Sequence, residues 1–103
     1  MIIRKQYMRD ANRNKIGVMV AIKDDKEIYF GFSKCNTMKD SFSKTIGTEI
    51  AIGRAKKHHK SNVYEVMSLL PDSARGQFME FASLTVARNP SYDFPKWVSD
   101  LGL

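Results

Sequence analysis

The chain of 103 residues is poor in the features that define several classes of protein. Its single cysteine, Cys35, cannot form an internal disulfide, and no apolar run approaches the roughly 18 residues that span a membrane. No long apolar segment near the N-terminus precedes a small-residue cleavage site, so we expect no secretory signal and a cytoplasmic protein. Neither a P-loop motif nor GxGxxG is present, which leaves those phosphate-binding folds without support.

Cysteine and histidine are also too few and too poorly spaced to predict a metal site. The adjacent His58 and His59 would project about 100° apart on a helix, and with Cys35 they make fewer ligands than a structural zinc site takes. Cys35, a histidine and Asp40 have the residue types of a thiolate–imidazole pair, but no protease signature surrounds the cysteine. We therefore predict no metal, no cofactor, no catalytic residue and a protein that is not an enzyme.

Acidic residues are scarce in the first part of the chain, and this gives the net charge of +6 an uneven distribution. Residues 1–60 hold 14 Lys and Arg against 6 Asp and Glu, whereas residues 61–103 hold 3 against 5. A basic face of this kind suits a phosphate-bearing or acidic partner, although basic charge also serves solubility alone.

The hydrophobic pattern predicts an α+β fold in one domain over 1–103. It consists of a small antiparallel sheet built on a hairpin (about 16–33) that packs against two or three helices (about 43–58, 63–70 and 72–88). Residues 2–8 alternate poorly but are compatible with a further strand. Both faces of 16–23 are apolar, which indicates a central strand covered on each side or paired across an interface, and this leaves a homodimer open.

Two features make the segment 45–52 ambiguous between helix and strand. Strand-like alternation joins four residues of this segment, Ile46, Thr48, Ile50 and Ile52. Helical spacing instead joins Ile46 to Ile50 and to small or aromatic residues on either side of them. A capping serine at 41 or 43 and positive charge at 56–58 favour the helix. Its glycines, which weaken a helix interior, are expected to let the helix lie close to the hairpin.

The remaining segments are predicted from caps and apolar spacing. Asn62 and Glu65 have capping-box spacing before the helix at 63–70, where a strand is the alternative. Asp72 or Ser73 is expected to cap the helix at 72–88, with a core face of Ala74, Phe78, Phe81, Ala82 and Thr85. The aromatic tail is expected to dock with a short helical turn after Pro95, either on the chain's own core or on a partner.

The basic cluster at the end of the first predicted helix is the strongest functional signal. Lysine and arginine neutralise phosphates, and aromatic residues of the hairpin, Phe30 and Phe32, offer a stacking surface unless they belong to the core. A capped helix start near residues 41–44 is a further place for phosphate. The candidate partner- or phosphate-binding residues are Lys44, Arg54, Lys56, Lys57, His58 and Lys60.

Residues 30–55 carry a resemblance to a known pattern. A strand ends in a step containing Cys35, and an Asp-x-Phe-x-Lys motif and a GRA-like helix end follow. The matching positions are Cys35, Asp40, Phe42, Lys44, Gly47, Ile50, Ala51, Gly53, Arg54 and Ala55. This pattern resembles small accessory proteins of tailed bacteriophages, which have no activity to transfer. The resemblance implies the cytoplasm of an infected bacterium, where such proteins often bind and redirect a host or defence protein.

Two functions follow as hypotheses. The first is a non-catalytic, phage-encoded binding protein that inhibits or redirects a host or defence protein, such as a nucleic-acid-handling complex, through its basic surface. The alternative is direct binding of DNA, RNA or a nucleotide by the same basic face.

Overall fold

The computed structural model describes residues 2–35, 43–58 and 61–101. These residues form three strands followed by four helices, which confirms the predicted α+β class. In chain order the elements are β1 (Ile2–Arg9), β2 (Lys15–Asp24), β3 (Glu27–Lys34), α1 (Lys44–His58), α2 (Val63–Met67), α3 (Asp72–Arg88) and α4 (Lys96–Ser99).

The three strands form one antiparallel sheet with β2 at its centre. Between β1 and β2, the carboxylate of Asp10 accepts hydrogen bonds from the backbone N–H groups of Asn12 and Asn14, at 2.9 Å each, and closes the predicted turn. Between β2 and β3, Asp25 adopts the left-handed backbone conformation with φ 56°, which reverses the chain within two residues. The predicted hairpin is therefore confirmed, and the weakly patterned first strand is part of the same sheet.

Helices cover both faces of β2, as its two apolar faces predict. On one face Val18, Val20 and Ile22 pack against Ala51 and Ala55 of α1 and make a small core. On the other face α3, together with α2 and α4, closes a larger core. The apolar character of both faces of β2 is thus explained within a single chain.

The first helix lies against β3 because Gly31 has no side chain. A Cβ atom at this position would stand 2.3 Å from the carbonyl oxygen of Ala51 and 2.5 Å from the backbone nitrogen of Ala55. The expectation that the helix glycines allow this approach is wrong for Gly53, which has nothing within 4 Å of an added Cβ. The close contact comes from the glycine of the strand.

The helical interpretation of 45–52 is confirmed. The hydroxyl of Ser43 accepts a hydrogen bond from the backbone N–H of Ile46 at 3.3 Å, so Ser43 acts at the helix start. Ser41, the alternative cap, lies outside the described residues. Lys56, Lys57 and His58 occupy the last turn of α1, where positive charge is favoured.

The larger core is centred on Phe30. Its ring meets the rings of Phe78 and Phe81 edge-on, each with 6.2 Å between centroids, and stacks on Phe94 at 6.3 Å. Phe32 is also buried and packs edge-on against Phe78. These two strand phenylalanines therefore belong to the core and offer no stacking surface to a ligand.

One helix boundary and one helix cap differ from the predictions, whereas the bounds of α3 match the predicted 72–88. Asn62 caps α2, since its side chain accepts from the backbone N–H of Glu65 at 2.9 Å, but the helix ends at Met67 because the next residues form tighter i to i−3 hydrogen bonds before the proline. The N-cap of α3 is Pro71 and makes no side-chain hydrogen bond, so neither acidic nor hydroxyl capping by Asp72 or Ser73 occurs. The predicted core face of α3 is buried throughout.

The tail docks on the chain's own core. The turn predicted after Pro95 is α4, and its Trp97 is 1% exposed and stacks on Phe78 with 5.9 Å between ring centroids. Upstream, the backbone of Asp93 exchanges hydrogen bonds with Lys26 and Ile28 and so extends the sheet at the start of β3.

Candidate functional site

The predicted basic surface begins at the last turn of α1. Lys56 and Lys57 are exposed, as a contact surface requires. Arg54 is half-buried, and its guanidinium donates to the carbonyl oxygen of Phe32 at 3.3 Å, beside the edge of β3. Arg54 therefore has a structural contact in addition to the positive charge that it presents. Lys60, also predicted here, lies outside the described residues.

His58 does not belong to this exposed surface, contrary to its selection from the sequence. Its side chain is 8% exposed, and Nδ1 lies 3.3 Å from the hydroxyl of Ser61. Burial lowers the pKa of His58, and the positive charges of Lys57 and Arg54 lower it further, while Glu65 acts in the opposite direction. A neutral, buried imidazole is the expected state near pH 7, so His58 supports the helix end from inside.

Lys44 stands at the opposite end of α1 from Lys56. Twelve residues of helix separate them, which corresponds to about 18 Å at 1.5 Å per residue. Lys44 is exposed, and its Nζ lies 5.9 Å from the centre of the Tyr7 ring. The candidates from α1 thus form two separate basic regions rather than one.

Two more lysines, which were not predicted from the sequence, lie close to the ring of Tyr7. The Nζ of Lys15 lies 4.5 Å from the ring centre and that of Lys5 lies 5.9 Å from it. We call Lys5, Tyr7, Lys15 and Lys44 the Tyr7 cluster. The three ammonium groups lie within cation–π distance of one ring, and this attraction offsets part of their mutual repulsion.

The four members of the Tyr7 cluster come from three elements, β1, β2 and α1. Lys5 and Tyr7 are two residues apart in β1 and share a sheet face, as the two-residue period of a strand requires. Lys15 begins β2 opposite Arg9, and Lys44 begins α1 above the same face of the sheet. The same-face spacing of Lys5 and Tyr7 is visible in the sequence, whereas Lys15 joins them only through the pairing of β1 with β2.

The electrostatics of the Tyr7 cluster favour an anion. The proximity of the Lys44 ammonium group lowers the pKa of Lys15, and desolvation and the charge of Arg9 lower it further. Among the described residues, no carboxylate forms an ion pair within 4 Å of Lys5, Lys15 or Lys44. A bound phosphate would replace this repulsion between like charges by attraction.

The residues considered for catalysis do not come together. Cys35 follows β3 beside Ile16, near the start of α1, whereas His58 ends that helix roughly 20 Å from its beginning. Asp40 and His59 lie outside the described residues. Within the described ranges, no group of three or more His, Cys, Asp or Glu side chains is arranged to hold a metal ion.

Comparison of the chain with protein-family models, with curated proteins and with solved structures found no match. In the described part of the chain, none of the helices has both the length and the apolar character needed to cross a membrane.

Proposed function

We propose that this chain is a non-catalytic binding protein that holds the phosphate backbone of a nucleic acid on its α1 side. The observation that carries the proposal is the convergence of three lysine ammonium groups within 5.9 Å of the Tyr7 ring centre. Lysines that neutralise phosphates release condensed counterions, which supplies most of the free energy of nonspecific nucleic-acid binding.

The second basic region of α1 extends this surface. Lys56 and Lys57 lie about 18 Å or more along the helix from Lys44, roughly the distance covered by five nucleotides of one strand in duplex form at 3.4 Å each. The phosphate backbone of a nucleic acid that crosses α1 from the Tyr7 cluster to the end of the helix would meet positive charge at both points. The ligand class is therefore a polymer of phosphates, with little selection for base sequence.

Fluorescence anisotropy with labelled single-stranded and duplex oligonucleotides tests this proposal over a series of salt concentrations. The double variant K15Q/K44Q should bind more weakly, and its slope of log K against log salt should fall by about 0.7–0.9 for each phosphate that the protein no longer neutralises. The matched control K26Q/K96Q removes the same charge from exposed lysines outside the cluster and should keep the slope.

Equal losses of affinity in the test and control variants would show that only net charge matters and would refute a specific surface. Absence of measurable binding by the unmodified protein at low salt would refute nucleic-acid binding itself.

A protein partner is the second candidate, and two exposed isoleucines favour it. Ile46 is 59% and Ile50 is 44% exposed, and they lie one turn apart on α1, with Arg54 one further turn along the helix. An apolar pair beside positive charge suits a protein surface with an acidic rim. The resemblance to phage accessory proteins makes a host or defence protein of the infected bacterium the partner to seek.

Affinity capture from a bacterial lysate separates the two functions. A protein partner should be lost from I46Q/I50Q and retained by M79Q/L84Q, which changes two similarly exposed apolar residues of α3. Recovery of nucleic acid alone, with a yield that depends on Lys15 and Lys44, would reject the protein partner. Light scattering on the purified protein measures its oligomeric state, and a dimer would identify a second copy of the chain as the partner.

A further inference from the structure

A separate cavity lies on the other face of the sheet, away from the Tyr7 cluster. Its volume is about 290 Å³, near the lower end of the range of small-molecule sites. It opens between β1, β2 and the C-terminal end of α3. The lining residues are Arg4, Ala21, Lys23, Thr85, Arg88 and Asn89.

The strand register explains why cations converge here. Arg4 pairs with Ala21, and Lys23 is two residues further along β2, so Arg4 and Lys23 are diagonal neighbours on the same face of the sheet. Ala21 lies between them, and its small side chain leaves space at the bottom of the cavity. Arg88, the last residue of α3, closes the third side.

Aromatic rings hold two of these cations in place. The Arg4 guanidinium carbon lies 5.4 Å from the centre of the Phe81 ring, and Lys23 Nζ lies 5.6 Å from the centre of the Tyr92 ring. A guanidinium fixed in this way keeps a planar set of N–H donors that matches the oxygens of a phosphate. Within the described residues, none of Arg4, Lys23 and Arg88 forms an ion pair within 4 Å.

The C-terminal end of α3 opposes an anion only weakly. Its macrodipole corresponds to roughly half a negative charge, against three full positive charges on the cavity wall. In addition, the Asn89 amide donates to the carbonyl oxygen of Thr85, and the Thr85 hydroxyl donates to that of Phe81, at 2.8 Å each. Part of the negative helix end is therefore neutralised by hydrogen bonds.

We propose that this cavity binds a small phosphate monoester, with Arg4, Lys23 and Arg88 around its phosphate group. The volume excludes a polymer from full enclosure and suits a compact ligand of mononucleotide size or below. The site is independent of the surface proposed above for nucleic acid, since Arg4 and Lys5 are consecutive in β1 and lie on opposite faces of the sheet.

An NMR titration of the ¹⁵N-labelled full chain with inorganic phosphate, and separately with adenosine monophosphate, tests the site. Saturable shifts are expected at the backbone amides of Thr85, Arg88 and Asn89. The variants K23Q and R88Q should weaken binding about tenfold each, as expected for the loss of one charge-assisted hydrogen bond. The control K26Q removes a lysine from the nearby β2–β3 turn and should leave the affinity unchanged.

The remaining outcomes are decisive. Tighter binding of the nucleotide than of phosphate supports a site that also contacts the base or sugar, and equal binding supports recognition of the phosphate alone. Shifts confined to the Tyr7 cluster, or affinities unaffected by both K23Q and R88Q, would overturn the proposal. The variant K15Q/K44Q should keep the shifts at Thr85 and Asn89, so failure of the nucleic-acid proposal is measured separately.

Discussion

His58 ends α1 in surroundings that oppose its protonation. The side chain is buried, its Nδ1 contacts Ser61, and its Nε2 has no hydrogen-bond partner among the described residues. Burial and the neighbouring charges of Lys57 and Arg54 lower its folded-state pKa below the ordinary 6.5. The unfolded chain therefore takes up a proton before the folded one does.

This difference predicts a loss of stability in acid. The contribution of His58 is fully present above pH 6.5 and decreases as the pH falls from there through the lowered folded-state pKa, with a slope of at most about 1.4 kcal/mol per pH unit. Urea unfolding of the wild type and of H58Q between pH 5 and 8 measures it. The wild-type free energy of unfolding should fall more steeply below pH 6.5; parallel profiles would contradict the prediction.

At the same scale, the sequence identified charge but not its environment. Lys56 and Lys57 could be selected as exposed cations because they end a helix, and they are exposed. His58 follows them directly, yet helical rotation turns it towards the sheet beside Ala51 and Ala55. Lys15 could not be connected with Tyr7 because their proximity depends on a strand register, and that register changes at a bulge beside Arg9.

The packing of α1 on β3 depends on one glycine of the strand, and a glycine of the helix serves as its control. G31A should be destabilising by about 1–3 kcal/mol or more, since the new methyl group would overlap backbone atoms of Ala51 and Ala55 that cannot move independently. G53A should stabilise by about 0.5–1 kcal/mol, because its methyl group meets open space and alanine favours helix. Thermal unfolding of both variants gives the two signs; equal effects would contradict this packing.

A side-chain amide joins β1 to α3. Gln77 accepts from the backbone N–H of Arg9 at 2.9 Å and donates to the carbonyl oxygen of Arg9 at 2.7 Å, so it pairs with the end of β1 as a neighbouring strand would. Q77A should lower the free energy of unfolding by about 1–3 kcal/mol, the net value of two such bonds.

The exposed Gln6 of β1 provides the control for Gln77, and Q6A should change the stability by less than about 0.5 kcal/mol. Hydrogen exchange of the Arg9 amide locates the effect. The amide should exchange faster in Q77A than in the wild type, and its exchange should be unchanged in Q6A. Unchanged exchange at Arg9 in Q77A would show that this pairing does not protect the strand end.

At the level of elements, the apolar period and the capping residues predicted the type of each element better than they predicted its boundaries. The helix at 44–58 was decided by its cap and terminal charges, although alternation of its isoleucines also fits a strand. The end of α2 at Met67 was not visible, because Leu69 and Leu70 continue the apolar spacing while the chain tightens towards Pro71. Gln77 gave no signal, since its partner is a backbone group 68 residues away.

For the whole molecule, the sequence predicted the class of fold, but it did not show that the cations form two groups on opposite faces of the sheet. Part of the positive charge of residues 1–60 lies in β1, which carries cations on both of its faces. Lys5 contributes to the Tyr7 cluster, and Arg4 contributes to the cavity beside α3. Because Arg88 comes from the less basic part of the chain, the group of cations around the cavity depends on the packing of α3 against the sheet and could not be found from charge patterning.

That packing is completed by the tail, so the stability of the whole molecule should depend on Trp97. Trp97 stacks on Phe78 of α3 and meets Phe30 of β3 edge-on, with 6.4 Å between ring centroids, and its Nε1 has no partner among the described residues. W97A should therefore lower the free energy of unfolding by about 3–5 kcal/mol, a large fraction of the roughly 5–15 kcal/mol available to a domain. W97F keeps an aromatic ring and removes the unpaired N–H, so its loss of stability should be smaller.

Y64A, which removes an aromatic side chain that is 84% exposed, should change the stability by less than about 0.5 kcal/mol. Urea unfolding followed by circular dichroism measures all three variants, and a W97A effect no larger than that of Y64A would mean that sheet and α3 fold without the tail.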